Sequence, residues 1–172
     1  DAIIVSRDIG RHGAAILMAR EGLAVESELS SDCATLWPIV EQLIAANIDV
    51  HAMRDATRGG LAAVLNEWAA ASNIGISVDE NKIPVSDEVK GLCELYGFEP
   101  FDLANEGTFI LAVPQNAVDA TIEIMQRFCH CEHATVIGRV NEQQSGKVVL
   151  NTPWGSSRYI DVPQGELLPR IC

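Results

Sequence analysis

The run from Val50 to Ser72 constrains the fold more than any other part of the chain. Val50-His51-Ala52-Met53 reads as a strand. Arg54-Asp55-Ala56-Thr57-Arg58-Gly59-Gly60 follows as a polar turn. Leu61, Val64, Leu65, Trp68 and Ala69 then repeat at one-face helical spacing. A strand, a glycine turn and a helix in succession is a building unit of α/β layer folds. The same unit makes an anion site, because the first amides of a helix lack intrahelical acceptors and the helix dipole favours negative charge there. The expectation is that phosphate binds near the amides of Arg58 to Leu61. Arg54 and Arg58 add charge, Thr57 can cap or bind an oxygen, and Asp55 can cap or hold a metal. A well-capped helix with two solvated arginines is the plainer alternative. The nucleotide-binding P-loop pattern is excluded, because no Lys-Ser or Lys-Thr follows the glycines.

Strands and helices alternate around this unit. Ala2 to Ser6 is an apolar run read as a buried strand. Ile9-Gly10-Arg11-His12-Gly13 is a glycine turn, a ligand-approaching loop or an ordinary one, and Ala14 to Arg20 reads as a helix closed by Gly22. Ser30, Ser31 and Asp32 are N-cap candidates for a helix ending near Ala46, with Leu36, Ile39, Val40, Leu43 and Ile44 as its stripe and Pro38 in its first turn. Ile74 to Val78 is a strand, and Ser86 to Tyr96 a helix with Cys93 buried in it. Thr108 to Val113 is a strong strand, and Ala117 to Phe128 an amphipathic helix. Val136 to Val140 and Lys147 to Asn151 read as a hairpin, and Ser157 to Val162 as a last strand. The fold expected is α/β: a single mixed sheet with packed helices, a closing β-hairpin at an edge and a flexible C-terminal arm. Residues 1–162 form the domain and 163–172 the arm. Leu61, Val64, Leu65, Trp68, Ile110, Ala112, Val118, Ile122 and Met125 belong in its interior.

Composition narrows the function. A net charge of −12 argues against a nucleic-acid backbone as partner. No apolar run reaches the ~18 residues of a membrane span, and no signal peptide is visible. Five irregularly spaced cysteines fit a reducing compartment, hence the cytoplasm. Asp1 runs at once into Ala-Ile-Ile-Val, as if the chain were cut at the start of a strand.

Three further features carry chemistry. Glu106, in the polar turn Phe101 to Gly107, stands at the mouth of a strand, either as a general base or metal ligand or as a plain turn carboxylate. Cys129-His130-Cys131-Glu132-His133 invites zinc, but its spacing does not match a zinc knuckle, so a helix end with one buried and one exposed cysteine is expected and no metal ligand is assigned. The last stretch, Val162 to Cys172, holds two prolines and a glycine and has no helical or strand period. Ten residues from Pro163 extend roughly 33 Å, so the stretch is either a frayed terminus or an arm that carries a thiol between sites. With no residues after Cys172 in this sequence, prenylation of that cysteine is not expected.

Three stretches together resemble one family. They are Ile4-Val5-Ser6-Arg7-Asp8-Ile9-Gly10-Arg11-His12-Gly13, Met53-Arg54-Asp55-Ala56-Thr57-Arg58-Gly59-Gly60-Leu61, and Leu168-Pro169-Arg170-Ile171-Cys172. Essentially the whole chain resembles the carboxy-terminal domain of the hydrogenase-maturation carbamoyl dehydratases, within the aminoimidazole ribonucleotide synthetase and selenophosphate synthetase superfamily. Two residues depart from the pattern: Arg7 stands where glycine is usual, and Ala56 where proline is common. The resemblance implies that a partner carbamoyltransferase loads a carbamoyl group on Cys172. ATP, with Mg, then drives its dehydration to a thiocyanate, and a scaffold complex accepts the cyanide for the iron of nickel–iron hydrogenase. It implies Glu106 as the base, and Arg54, Asp55, Thr57, Arg58, Gly59 and Gly60 as the loop facing the nucleotide. It also implies an N-terminal ATP-binding domain absent from this chain, through which the full-length protein forms a homodimer. The fragment alone is then inactive. Two other classes stay open: a superfamily relative without the thiol carrier, and a metal-binding or interaction module.

Overall fold

The alternating apolar residues of two central strands organise the molecule. The computed structural model describes residues 1–21 and 29–163. Strand β1 (Ala2–Val5) is fully buried and pairs antiparallel with β4 (Phe109–Val113) on one side and β5 (Thr135–Asn141) on the other. Ile3, Val5, Ile110 and Ala112 point to one face, while Ala2, Ile4, Phe109, Leu111 and Val113 point to the other. Successive side chains of a strand leave opposite faces, so strands apolar at every position need cover on both.

Helices supply that cover. Helix α3 (Gly60–Ser72) packs Leu61, Ala62, Val64, Leu65 and Ala69 on the first face. Helices α2 (Trp37–Ala45) and α5 (Val118–Met125) pack Ile39, Leu43, Val118, Ile124 and Met125 on the second. Helices α1 (Arg11–Glu21) and α4 (Asp87–Tyr96) meet in a smaller cluster of Ala14, Leu17, Val89, Leu92, Cys93 and Leu103. Each fully buried Leu or Ile stabilises by roughly 1.5–3 kcal/mol. Nearly all the residues expected inside are there. Trp68 and Ile122 are only partly buried, and Ile44, expected on the α2 stripe, is 62% exposed.

The sheet is completed by β2 (Ala52–Asp55), β3 (Gly75–Asp79), β6 (Val148–Asn151) and β7 (Ser157–Tyr159), in the order β2-β4-β1-β5-β3-β6-β7. It is mixed because β3 and β6 run parallel, while the other pairs are antiparallel. This corrects one expectation. β5 and β6 do not form a hairpin, because β3 lies between them. The closing hairpin is β6 with β7, at the edge of the sheet. Turn residues 141–146 suggested direct return, but the apolar Ile76 and Val78 of β3 satisfy both neighbours at once.

A second correction concerns Asp32. Helix α2 starts at Trp37, its N-cap position is Leu36 with no side-chain cap, and Pro38 lies in the first turn. Asp32 is buried and serves a different element, described below. Ser86 does cap α4, its hydroxyl accepting from the amide of Val89. Among the described residues no helix is long and apolar enough to cross a membrane. The expected arm falls, beyond Pro163, outside the described residues, as do Gly22 and Cys172.

Candidate functional site

Sheet register brings two of the sequence motifs, and the loop that carries Glu106, to one end of the molecule. β1 ends at Val5 opposite Ile110, and β2 ends at Asp55 opposite Phe109. The loops that follow β1 and β2, and the loop that precedes β4, therefore emerge side by side. Ser6 fastens the first to the third: its amide donates to Phe109 O and its hydroxyl accepts from Phe109 N, both at 3.0 Å. Ala56 N donates to Thr108 O at 2.9 Å, and Asn105 N donates to Ala56 O at 3.0 Å.

Asn105 binds all three together. It is fully buried, and its side-chain oxygen accepts from Gly10 N at 2.7 Å. Its side-chain nitrogen donates to Ala56 O at 2.9 Å and Leu103 O at 3.2 Å. Buried polar groups must be paired to avoid a desolvation cost, and here both the oxygen and the nitrogen have partners, two of them, Gly10 and Ala56, far away in sequence. Sequence reading passed over Asn105 in favour of its neighbour. The signal was there: an amide between apolar Leu103-Ala104 and a strand mouth needs partners.

Glu106 is held by its backbone and exposes its side chain. Asp32, 1% exposed, accepts from Glu106 N at 3.0 Å, Gly107 N at 2.9 Å and the Thr108 hydroxyl at 2.8 Å. A Cβ on Gly107 would stand 1.8 Å from Asp32 O, so only glycine lets these two backbones meet. In the preceding loop Asp8 receives Arg11 Nε at 2.9 Å and Arg7 Nε at 3.3 Å, which ties Arg7 into an ion-pair cluster.

The Arg54–Gly60 turn is placed as expected but used differently in part. Arg54 forms an ion pair with Glu67 on α3, so its charge is already partnered. Asp55 and Arg58 are exposed, and Thr57 is half-buried. Gly59 is the αL N-cap of α3 at φ 74°. Gly60, buried at φ 57°, donates its amide to Thr57 O at 3.0 Å. This corrects the expectation of free amides throughout Arg58 to Leu61: the Gly60 amide closes the turn. A Cβ on Gly60 would meet the carbonyl oxygens of Phe101 and Leu103 at 2.5 Å, so the α3 start is pressed directly on the loop leading to Glu106.

The chain returns to this end of the molecule after β7. Asn66 of α3 donates to Ile160 O at 2.9 Å, and Pro163 Cγ lies 3.9 Å from where a Gly59 Cβ would stand. A groove of about 330 Å³ runs alongside, lined by Glu99, Phe101, Asp102, Arg158 and residues 159–163. Arg158 pairs with Glu99 at 2.8 Å and lies over the Phe101 ring at 5.4 Å. Burial, then the nearby Glu99 charge, pushes the Asp102 carboxyl up to about 6, against the lowering effect of Arg158. Sequence reading missed this group, since nothing local distinguishes Asp102 from a turn aspartate.

At the far helix end, Cys131 is buried and Cys129 exposed, as expected. Burial pushes the Cys131 thiol up to about 11, which keeps it protonated and a poor metal ligand. Among the described residues no three His, Cys, Asp or Glu side chains are grouped to hold a metal.

A mixed seven-stranded sheet with these loops gathered at one end defines a C-terminal domain of the AIR synthase type. The family model described as AIR synthase related protein, C-terminal domain, matches residues 1–151, and the chain belongs to that family. Within it, the chain is similar to hydrogenase-maturation HypE proteins. It is 42% identical over 172 residues to carbamoyl dehydratase HypE of Rhodobacter capsulatus, covering 100% of this chain and 51% of that protein. A crystal structure of HypE in complex with ATP matches with a TM-score of 0.93 at 37% identity, covering 99% of this chain and 52% of the other. A crystal structure of a HypE–HypF complex matches with a TM-score of 0.88 at 38% identity, covering 94% and 52%. The chain thus spans about half the length of these relatives.

Proposed function

We propose that this domain, joined to an N-terminal ATP-binding domain, works as a carbamoyl dehydratase whose carrier thiol is Cys172. The observation that carries the reading is the position of Pro163. The segment ending in Cys172 starts against Gly59, at the turn that Asn105 and Ala56 bind to the Glu106 loop. Nine residues reach roughly 30 Å when extended, enough to present a thiol both inside the site and to an outside partner. The similarity to HypE, and the ATP and HypF complexes solved for HypE proteins, support the same reading.

In this reaction a carbamoyltransferase of the HypF kind places a carbamoyl group on the Cys172 sulfur. The carbamoyl oxygen then attacks the γ-phosphoryl of ATP while Glu106 takes a proton from the amide nitrogen. A second N–H proton leaves as the C–O bond breaks, giving a thiocyanate on sulfur, ADP and phosphate. A base on a rigid loop suits this task, since the proton is taken at a fixed nitrogen. Arg58, exposed at the α3 N-terminus, offsets phosphate charge there, with the helix dipole adding to it. Thr57, Gly59 and Gly60 shape that surface. Arg54, held by Glu67, keeps α3 on β2, and Asp55 is exposed at the strand end opposite Phe109.

The residues of this domain fit an anion edge and do not by themselves fit magnesium, since Asp55 and Glu106 are single carboxylates. Mg is therefore assigned to the ATP phosphates and to the N-terminal domain, as is the homodimer contact. A scaffold complex takes the cyanide for the hydrogenase iron. The reducing cytoplasm would keep the carrier thiol free.

The test uses the full-length protein with its carbamoyl donor system. Cys172→Ala should abolish loading, and Cys172→Ser should load poorly, because a hydroxyl is less acidic and less nucleophilic than a thiol at neutral pH. Loading of Cys172→Ala at the normal rate would remove the carrier role.

A further inference from the structure

We propose that Asp32 is the positioning residue for Glu106, an inference that rests on the reading of Glu106 as the base. Three donors converge on the Asp32 carboxylate, and they come from consecutive residues beginning with Glu106. Oδ1 accepts from Glu106 N at 3.0 Å, and Oδ2 accepts from Gly107 N at 2.9 Å and Thr108 Oγ1 at 2.8 Å. The carboxylate is 1% exposed. A buried carboxylate is costly unless it accepts hydrogen bonds, and these three donors supply them.

The backbone of the same residue is engaged too. Asp32 O lies against Gly107 and accepts from Arg7 Nη1 at 3.4 Å. Asp32 therefore grips the loop from two sides, across more than seventy residues of chain. Among the described residues no side-chain hydrogen bond or ion pair holds the Glu106 carboxylate itself. Its direction is inherited from its backbone, and Asp32 fixes that backbone. Helix capping does not explain the arrangement, since α2 begins only at Trp37. The acidity of residue 32 matters for a geometric reason. A carboxylate accepts at every position, whereas an asparagine of the same size turns an N–H₂ toward at least one of the donors.

The experiment uses full-length protein preloaded on Cys172, with dehydration started by ATP. Asp32→Asn should slow dehydration by about 10- to 100-fold, the scale of a base displaced by a fraction of its reach. Carbamoyl loading and ATP affinity should stay within about twofold, which a general loss of structure would not allow. In an Glu106→Gln background, Asp32→Asn should add nothing, because the group it positions is gone. Thr108→Val removes one donor to Oδ2 and should slow dehydration less, again without affecting loading; it carries the test if Asp32→Asn does not fold. The inference is overturned if the Asp32→Asn and Glu106→Gln losses multiply, if loading falls in step with dehydration, or if both Asp32→Asn and Thr108→Val react at the wild-type rate. A Glu106→Gln protein that dehydrates normally would overturn the base reading and this inference with it. A slow Glu106→Gln with multiplying losses would remove the inference alone.

Discussion

Asn105 accepts a hydrogen bond from the amide of Gly10 at 2.7 Å across 95 residues of chain, and so joins the loop after β1 to the loop that carries Glu106. The same side chain holds Ala56 at the start of the arginine–glycine turn. One buried amide thereby sets the relative positions of the three loops.

Replacing that amide should be expensive. Asn105→Ala leaves the Gly10 amide and backbone carbonyls without their side-chain partner, at about 1–3 kcal/mol for each group left unsatisfied. Asn105→Asp can still accept from Gly10 but, when ionised, faces Ala56 O and Leu103 O without a proton to give. Its folded carboxyl would be pushed up, so its stability should be greatest in acid and fall as pH rises through the raised value. Urea unfolding of the three proteins across pH checks both statements. Equal stability of Asn105→Ala and wild type would contradict the role.

Two glycines should respond oppositely to alanine. Gly60→Ala places a Cβ 2.5 Å from two backbone oxygens at φ 57° and should cost about 2–4 kcal/mol. Gly91, inside α4, has open space around it, so Gly91→Ala should gain about 0.5–1 kcal/mol through helix propensity. Thermal melts of both variants give the comparison.

Much of this was legible in the sequence. The α3 stripe, the α4 helix and the buried Cys93 follow from local spacing, and local spacing decides them. The pairing of β6 with β3 was not legible, because strand order is a long-range choice and the turn at 141–146 looks the same whichever neighbour follows. Asp32 was read as a cap since Ser-Ser-Asp is a local capping signal, yet its acceptors serve amides 74 residues away. Arg54 was read as an anion ligand, and only the packing of α3 against β2 shows Glu67 beside it.

That pairing separates the two arginines. Arg58→Ala in the full-length protein should lower ATP-dependent dehydration, by about 10- to 150-fold if one charge-assisted contact to phosphate of roughly 1.5–3 kcal/mol is lost. Arg54→Ala should act mainly on stability, by less than about 1 kcal/mol for an ion pair this exposed. Steady-state kinetics beside thermal melts distinguish the two, and an unchanged Arg58→Ala rate would leave that residue only a surface role.

Asp102 gives the domain a pH dependence of definite sign. Its folded carboxyl is pushed up to about 6, chiefly by burial, from an ordinary value of 3.8. Between these values the folded state holds more proton than the unfolded one. The contribution of Asp102 to stability is therefore full in acid below the unfolded value and is lost as pH rises through about 6. Asp102→Asn removes this dependence. The melting temperature of Asp102→Asn minus that of wild type should rise between about pH 4 and about pH 7; a difference that stays flat would contradict the shift.

The central claim, that Glu106 acts after Cys172 is loaded, is tested most directly by intact mass of full-length protein before and after ATP. Loading should add about 43 Da to both wild type and Glu106→Gln, the mass of a carbamoyl group replacing hydrogen. On adding ATP, wild type should move to about +25 Da, a cyano group in its place, while Glu106→Gln should remain near +43 Da for minutes, since a general base contributes about 10²- to 10⁴-fold. A Glu106→Gln protein that reaches about +25 Da as fast as wild type, or one that never loads, would contradict the account.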